Sequence, residues 1–102
     1  MRARAERKPT HPGELLREET LPAAGLTASE LAARLGVSRR GINQLLQERR
    51  SINPDLAHRL ARVSTTTPEF WLRLQEAVDI WDAWQANRQE YDRLKPLSER
   101  AA

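Results

Sequence analysis

Residues 27–46 decide the fold, and they read TASELAARLGVSRRGINQLL. Thr27 and Glu30 have the spacing of a capping box, in which two side chains bind each other's backbone donors at the start of a helix. Gly36 stands where this helix must end in a left-handed conformation. Ser38 can cap a second helix directly afterwards. Two short helices joined by a turn of this length predict a helix-turn-helix.

The helix-turn-helix is expected to run from Leu26 to about Arg50, and its two faces differ in chemistry. Apolar residues recur at helical spacing and should hold the two helices together from beneath. They are Leu31, Ala32, Leu35, Ile42, Leu45 and Leu46. The opposite face carries side chains that bind base edges, because Arg can grip guanine in two places and Asn or Gln can do so with adenine. These candidate base-reading residues are Arg39, Arg40, Asn43 and Gln44.

Positive charge is concentrated in the same segment. Residues 34–50 hold five arginines against one glutamate, a local charge of +4 in a chain whose net charge is +3. Arginines can contact DNA phosphates, and so can a hydroxyl together with the free backbone donors at a helix start. Such contacts raise affinity without selecting sequence. The candidates for phosphate contacts are Thr27, Ser38, Arg49 and Arg50. The alternative interpretation is an exposed basic helix pair that only keeps the protein soluble; the caps, the turn and the outward polar residues together favour DNA.

Three further helices complete the predicted all-α fold. The first begins at His11-Pro12, with proline in the first helical position, and Pro22 and Gly25 are expected to end it. The other two begin with a capping residue followed by proline, at Asn53-Pro54 and Thr67-Pro68. No convincing alternation of period two appears. The sequence therefore predicts five helices and no strong strand.

The last helix carries more apolar surface than a small core requires. No glycine or proline interrupts it between Pro68 and about Gln85, and its apolar residues cover a wide arc. We assign its tryptophans to packing rather than to a ligand cage, and we expect the excess arc to form the seam of a two-fold homodimer. The expected dimer interface comprises Trp71, Leu74, Val78, Trp81 and Trp84.

A single domain is expected at a length of 102 residues. Residues 1–10 are interpreted as a mobile basic arm, 11–87 as the helix-turn-helix domain with its dimerising last helix, and 88–102 as a polar C-terminal tail. The arm is as consistent with a tail of no consequence as with one that binds DNA or a partner.

Several classes of function lack the residues that they require. The chain has no cysteine, which excludes disulfides and thiolate metal sites. His11 and His58 have no carboxylate at ligand spacing and are expected at the surface or in helix caps. Neither a phosphate-binding glycine loop nor a nucleophile with its base can be assembled. We therefore expect no enzyme, no metal site and no cofactor, and, because no run is apolar enough for a membrane span, a cytoplasmic protein.

Four segments between residues 11 and 84 form a recognisable combination: HPGELL at 11–16, LAARLGVSRR at 31–40, LAR at 60–62 and TPEFWLRLQ at 67–75. Through them the sequence resembles the HigA (VapI-type) antitoxins, within the Xre/Cro-like (lambda-repressor-like) helix-turn-helix regulators. The resemblance implies a dimeric repressor that binds the inverted-repeat operator of its own operon. It also implies a partner toxin, a HigB-like, ribosome-dependent mRNA endonuclease. By the same resemblance, the positions that touch DNA are Ser38, Arg39, Arg40, Asn43 and Gln44.

Gly41 departs from that family, in which this position more often carries a residue with a Cβ. Glycine inside a helix costs about 1 kcal/mol relative to alanine, so either another group approaches the backbone closely or the helix is loosened. Two other functions stay open: a stand-alone Xre-type repressor without a toxin, and an interaction module that no longer binds DNA. The arginines and amides of the exposed face argue against the second.

Overall fold

The computed structural model describes residues 7–98, which form five helices and no strand. The first, α1, is one continuous helix in three sections, Pro12–Leu15, Leu16–Thr20 and Leu21–Ala24. The others are α2 (Ala28–Leu35), α3 (Arg39–Leu46), α4 (Pro54–Ser64) and α5 (Pro68–Arg93). The predicted five-helix, all-α architecture is confirmed. The expectations for residues 1–6 of the basic arm and 99–102 of the tail lie outside the described residues.

Pro22 does not end α1, contrary to the prediction. The helix continues through Pro22 and ends at Gly25, whose φ of 67° is left-handed. Its middle section is a π-helix, in which the Leu21 N–H donates to the carbonyl of Leu16. Proline lacks an N–H, and its ring crowds the carbonyl four residues earlier. The wider π turn therefore admits Pro22 without ending the helix.

The start of α1 packs directly on the backbone of α3. A Cβ on Gly13 would overlap the carbonyl oxygen of Leu45, so glycine is needed for this close approach. His11 caps α1, because its Nδ1 accepts a hydrogen bond from the Gly13 N–H at 2.9 Å. The side chain is buried, with 5% of its surface exposed, whereas His58 is exposed. Burial lowers the pKa of His11 below its ordinary value.

The hydrophobic core supports the back of the helix-turn-helix. The predicted inner residues Leu31, Ala32, Leu35, Ile42 and Leu45 are all buried, and Leu46 is half-buried. Leu16 of α1, Leu60 of α4 and Trp71 of α5 pack in the same cluster. Trp71 satisfies its indole N–H by donating to Thr66 Oγ at 2.8 Å. Burying these side chains fixes the position of α3 from one side, at roughly 1.5–3 kcal/mol for each large apolar residue.

The last helix extends beyond its expected end. It runs to Arg93, with a break in helical geometry at Asn87 (φ −129°, ψ 18°), so residues 88–93 of the predicted tail are helical. The first half of α5 buries Trp71, Gln75 and Val78. Between Asp79 and Ser98 no residue is buried. The second half accordingly lies outside the core, in a molecule 53 Å long and 22 Å wide.

Candidate nucleic-acid interface

The first helix of the motif, α2, begins and ends as the sequence predicts. The Glu30 N–H donates to Thr27 Oγ at 3.1 Å, and the Thr27 N–H donates to the Glu30 carboxylate at 2.9 Å. The hydrogen bond from the Thr27 backbone holds the pKa of Glu30 below its usual range. At the other end, Gly36 has a φ of 70°, which favours glycine. The turn between α2 and α3 is thus set by local chemistry.

Arg59 of α4 stabilises the same turn and was not anticipated from the sequence. Its Nη1 donates to the carbonyl of Leu35 at 2.8 Å, one of the carbonyls that the end of α2 leaves without a helical partner. Its Nε donates to Asp55 Oδ2 at 2.9 Å. The spacing of Asp55 and Arg59 is visible in the sequence, but nothing in it indicates that the guanidinium reaches α2.

The second helix of the motif, α3, exposes the predicted base-reading residues on one face. Ser38 caps it as predicted, accepting the Gly41 N–H at 3.0 Å through its Oγ. Arg39, Arg40 and Asn43 are exposed and Gln44 is half-buried; at about 100° per residue these four span an arc of about 140°. Neither arginine forms an ion pair within residues 7–98. Their guanidinium groups are therefore available to a ligand.

The four candidate phosphate-binding residues lie around α3, with one unexpected position. Thr27 stands at the start of α2, Ser38 at the start of α3 and Arg49 just after α3, all exposed. Arg50 also follows α3 in the chain, but its guanidinium lies against Gly41 in the first turn of that helix. The side chain of Arg50 thus turns back toward the start of α3, a position that the sequence did not indicate. The phosphate contacts of all four residues stay predictions.

Gln75 anchors the segment after α3 to the last helix. This polar residue is buried within the apolar stripe of α5. Its Oε1 accepts the N–H of Ile52 at 2.9 Å, and its Nε2 donates to Asp79 Oδ1 at 2.9 Å. A glutamine among apolar residues was the available signal in the sequence, but the partner 23 positions away could not be identified from it.

Arg17 of α1 reaches the C-terminal end of α3. Its Nη1 donates to the carbonyl of Leu46 at 2.5 Å, and its Nη2 lies 3.2 Å from a carboxylate oxygen of Glu48. Glu48 is the single acidic residue among the five arginines of residues 34–50. Because Arg17 engages this carboxylate, Glu48 does not pair with the arginines of the exposed face.

The residues assigned to a dimer interface separate into two groups. Trp71 and Val78 are each 1% exposed and pack inside one chain. They present no surface to a partner, which corrects their assignment. Leu74, Trp81 and Trp84 are half-buried. Helical spacing places all five on neighbouring stripes, but the core covers only the first half of α5.

The exposed apolar surface lies farther along α5 than expected. Ile80, Ala83, Trp84 and Tyr91 border one shallow depression, and we call these four residues the distal apolar face. Ile80 is 50% exposed. The rings of Trp84 and Tyr91 stack with centroids 6.0 Å apart, across the break at Asn87. This stacking connects residues 88–93 to the rest of α5, whereas the sequence predicted only a polar tail there.

Among residues 7–98, no cluster of three or more His, Cys, Asp or Glu side chains is arranged to hold a metal ion. The helices of this part of the chain include none with the length and apolarity that a membrane span requires.

Comparison with known proteins identifies the family. Residues 16–71 match a family model described as helix-turn-helix. The chain is 37% identical over 94 residues to Antitoxin HigA-1 of Vibrio cholerae, a match that covers 92% of this chain and 89% of that protein. The chain belongs to the HigA-like helix-turn-helix proteins. The resemblance carried by its four sequence segments is thereby confirmed.

Two further relatives extend this assignment. The HigA-like chain is 40% identical over 97 residues to an Escherichia coli protein called uncharacterized HTH-type transcriptional regulator YbaQ, covering 93% of this chain and 86% of that one. A solved structure of antitoxin GraA in complex with its operator superimposes with a TM-score of 0.84 at 40% identity, covering 95% and 99% of the two chains. The family consists of DNA-binding regulators and is not a class of enzymes.

Proposed function

We propose that this protein is a dimeric, sequence-specific DNA-binding antitoxin that represses its own operon and neutralises a HigB-like mRNA endonuclease. The observation that carries the DNA-binding part is the exposed face of α3. Two arginines that form no ion pair with any residue between 7 and 98 lie there with two amides, on a helix whose other face is buried in the core. The operator complex of the relative GraA supports the same use of the fold.

Base recognition follows from the chemistry of this face. The major groove of B-DNA is about 12 Å wide and admits one α-helix. With α3 in the groove, Arg39 and Arg40 bind guanine through two acceptors, and Asn43 and Gln44 bind adenine through its donor and acceptor pair. Because the core fixes the back of α3, the backbone loses little conformational entropy when the helix enters the groove, and the cost of ordering is confined to these side chains.

Phosphate contacts fix the position of α3 in the groove. Thr27 and Ser38 stand at the starts of the two helices of the motif, where backbone N–H groups favour an anion. Arg49 and Arg50 add positive charge. These contacts do not distinguish sequences, but the two that come from arginines release counterions from DNA and make binding weaker as salt rises.

Dimerisation would place two copies of α3 on one inverted repeat. The distal apolar face of α5 is the surface we assign to this contact, in a two-fold arrangement in which the same residues meet on both copies. The two recognition helices then lie about 34 Å apart, one turn of the duplex. Trp84 is the one residue shared by the expected interface and this face.

The DNA-binding proposal is tested by fluorescence anisotropy. The protein is titrated onto the DNA immediately upstream of its operon and onto a random duplex, at two salt concentrations. We expect tight, salt-sensitive binding to the upstream DNA, and its loss in Arg39→Ala/Arg40→Ala. The matched control is Arg62→Ala/Arg73→Ala, which removes two exposed arginines from α4 and α5. Similar losses of affinity in both double variants would show that binding depends on net charge and not on the exposed face of α3.

The toxin part rests on the relative named Antitoxin HigA-1. Its test is the product of a short basic reading frame next to this gene, expressed with and without this protein. We expect the product alone to cleave translated mRNA and arrest growth, and co-expression to give a copurifying complex and restore growth. A product that neither copurifies nor is inhibited would contradict the proposal.

The second candidate is a stand-alone regulator, which the relative named an HTH-type transcriptional regulator favours. It predicts the same DNA binding without an adjacent toxin gene. Binding to upstream DNA no tighter than to random duplex would contradict both functions and leave the interaction module.

A further inference from the structure

Gly41 and Arg50 are packed against each other on the recognition helix. A Cβ on Gly41 would overlap Nη1 of Arg50 and lie 3.4 Å from its Cζ, so the guanidinium fills the space that any other residue would take. The same Cβ would lie 3.1 Å from Ser38 Oγ. Arg50 and Ser38 therefore border one position at the first turn of α3.

The backbone on both sides of Arg50 is held by hydrogen bonds, and its side chain lies back along α3. The Arg49 N–H donates to the carbonyl of Gln44 at 2.8 Å, directly after Glu48 turns the chain with a φ of 62°. On the other side, Ile52 is buried and its N–H is held by Gln75. These two hydrogen bonds fix the stretch of backbone from which the Arg50 side chain extends.

The guanidinium of Arg50 lies against Gly41 without a counter-charge among the described residues. Within residues 7–98, no carboxylate forms an ion pair with it, and the residue remains exposed. Its contact with Gly41 covers the glycine, which is itself buried. Within this part of the chain, the arrangement thus places an unpaired cation on the side of α3 that carries Ser38.

We infer that Gly41 is a positioning residue, whose missing side chain lets Arg50 contact a DNA phosphate beside Ser38 rather than beyond the end of α3. The inference rests on the proposed function. Glycine is among the least favourable residues inside a helix, so Gly41 weakens α3, and the group that occupies its space is an exposed cation rather than a core side chain. The glycine accordingly serves binding at the expense of stability.

A double-mutant cycle on the full chain tests this, with upstream DNA as the probe. Gly41→Ala displaces Arg50, and we expect about a tenfold loss of affinity, the effect of one charge-assisted hydrogen bond, and a salt slope smaller by about one. Arg50→Ala should cause the same changes, and the double variant no more than either single one. The thermal midpoint of Gly41→Ala should rise by about 4 °C, because alanine favours the helix.

The matched control pairs Gly41→Ala with Arg49→Ala, the neighbouring arginine that is not packed on Gly41. Here we expect the two losses to multiply. If Gly41→Ala lowers affinity equally in the Arg50→Ala background, its methyl group disturbs DNA directly and the inference is overturned. A Gly41→Ala variant that binds upstream DNA as tightly as the wild type would also overturn the inference. The proposed function would still stand in that case, provided that the wild type binds upstream DNA more tightly than random duplex. If the wild type shows no such preference, both the inference and the proposed function are contradicted.

Discussion

The two halves of α5 contain the same kinds of residue and are built for different purposes. The first half, Pro68 to Val78, buries Trp71 and holds the segment after α3 through Gln75. The second half, Asp79 to Arg93, buries nothing and exposes the distal apolar face. One helix therefore supplies part of the core with its first half and an exposed apolar surface with its second half.

The largest expected effect is a difference in stability between substitutions in the two halves of α5. Trp71→Ala removes a fully buried indole and should lower the free energy of unfolding by about 3–5 kcal/mol, measured by urea denaturation. The matched variant is Trp84→Ala in the second half, compared at a concentration at which both proteins are monomeric. We expect it to cost less than about 1 kcal/mol. Equal costs would show that the second half belongs to the same core.

Dimerisation should depend on the second half of α5 rather than on the first. Ile80→Asp places a charge on each copy of the distal apolar face, and like charges across a two-fold contact repel strongly. Sedimentation equilibrium should show the dimer weakened by about a hundredfold or more. Gln85→Asp puts the same charge on another face of this half and should leave the dimer unchanged. A dimer insensitive to Ile80→Asp would move the interface elsewhere.

Gln75 tests whether the first half supports the DNA-binding surface. Gln75→Leu leaves the buried Ile52 N–H without an acceptor, which should cost about 1–3 kcal/mol, and should weaken binding to upstream DNA because it loosens the segment that carries Arg50. Denaturation and anisotropy measure the two effects. Gln85→Leu, on the exposed second half, should change stability by less than about 0.5 kcal/mol; a comparable loss there would remove the distinction.

The smallest expected effect is a pH dependence of the free energy of unfolding, caused by the buried residue His11. Burial lowers the pKa of His11, and Lys8 adds to this, while Glu48, Asp79 and Asp82 oppose it. The unfolded chain therefore binds the proton first, so the contribution of neutral His11 is complete above about pH 6.5 and is lost as the pH falls from there through the lower pKa of the folded state. His11→Asn, which retains a capping side chain, should flatten the stability profile below pH 6.5. An unchanged profile would contradict this assignment.

Local chemistry was readable from the sequence, and contacts between helices were not. The cap at Thr27 and the turn at Gly36 depend on residues within a few positions, so they could be predicted. Pro22 misled because a π turn upstream relieves its clash. Trp71 was assigned to an interface because helical period shows which residues share a face, but not what covers it. The position of the Arg50 guanidinium could not be read from the sequence, because it depends on Gly41, nine residues away.

The exposed face of α3 could be predicted residue by residue, because it too depends on a local pattern. Once the apolar stripe of α3 is known, the side chains opposite must be exposed, and the structure places Arg39, Arg40 and Asn43 there. Their contacts with bases stay predictions. The supports of this face, Arg17, Arg59 and Gln75, come from three other helices, and only the folded structure brings them together.

The most direct test of base reading by α3 compares Arg39→Ala with Arg49→Ala on the operator, on operators with single base-pair changes and on random duplex. We expect Arg39→Ala to lose about 1–3 kcal/mol of binding free energy on the operator and to distinguish the bases at one position no longer. Arg49→Ala should weaken binding to every duplex alike and reduce the salt slope. Equal losses on all duplexes for both variants would contradict the claim that α3 reads sequence.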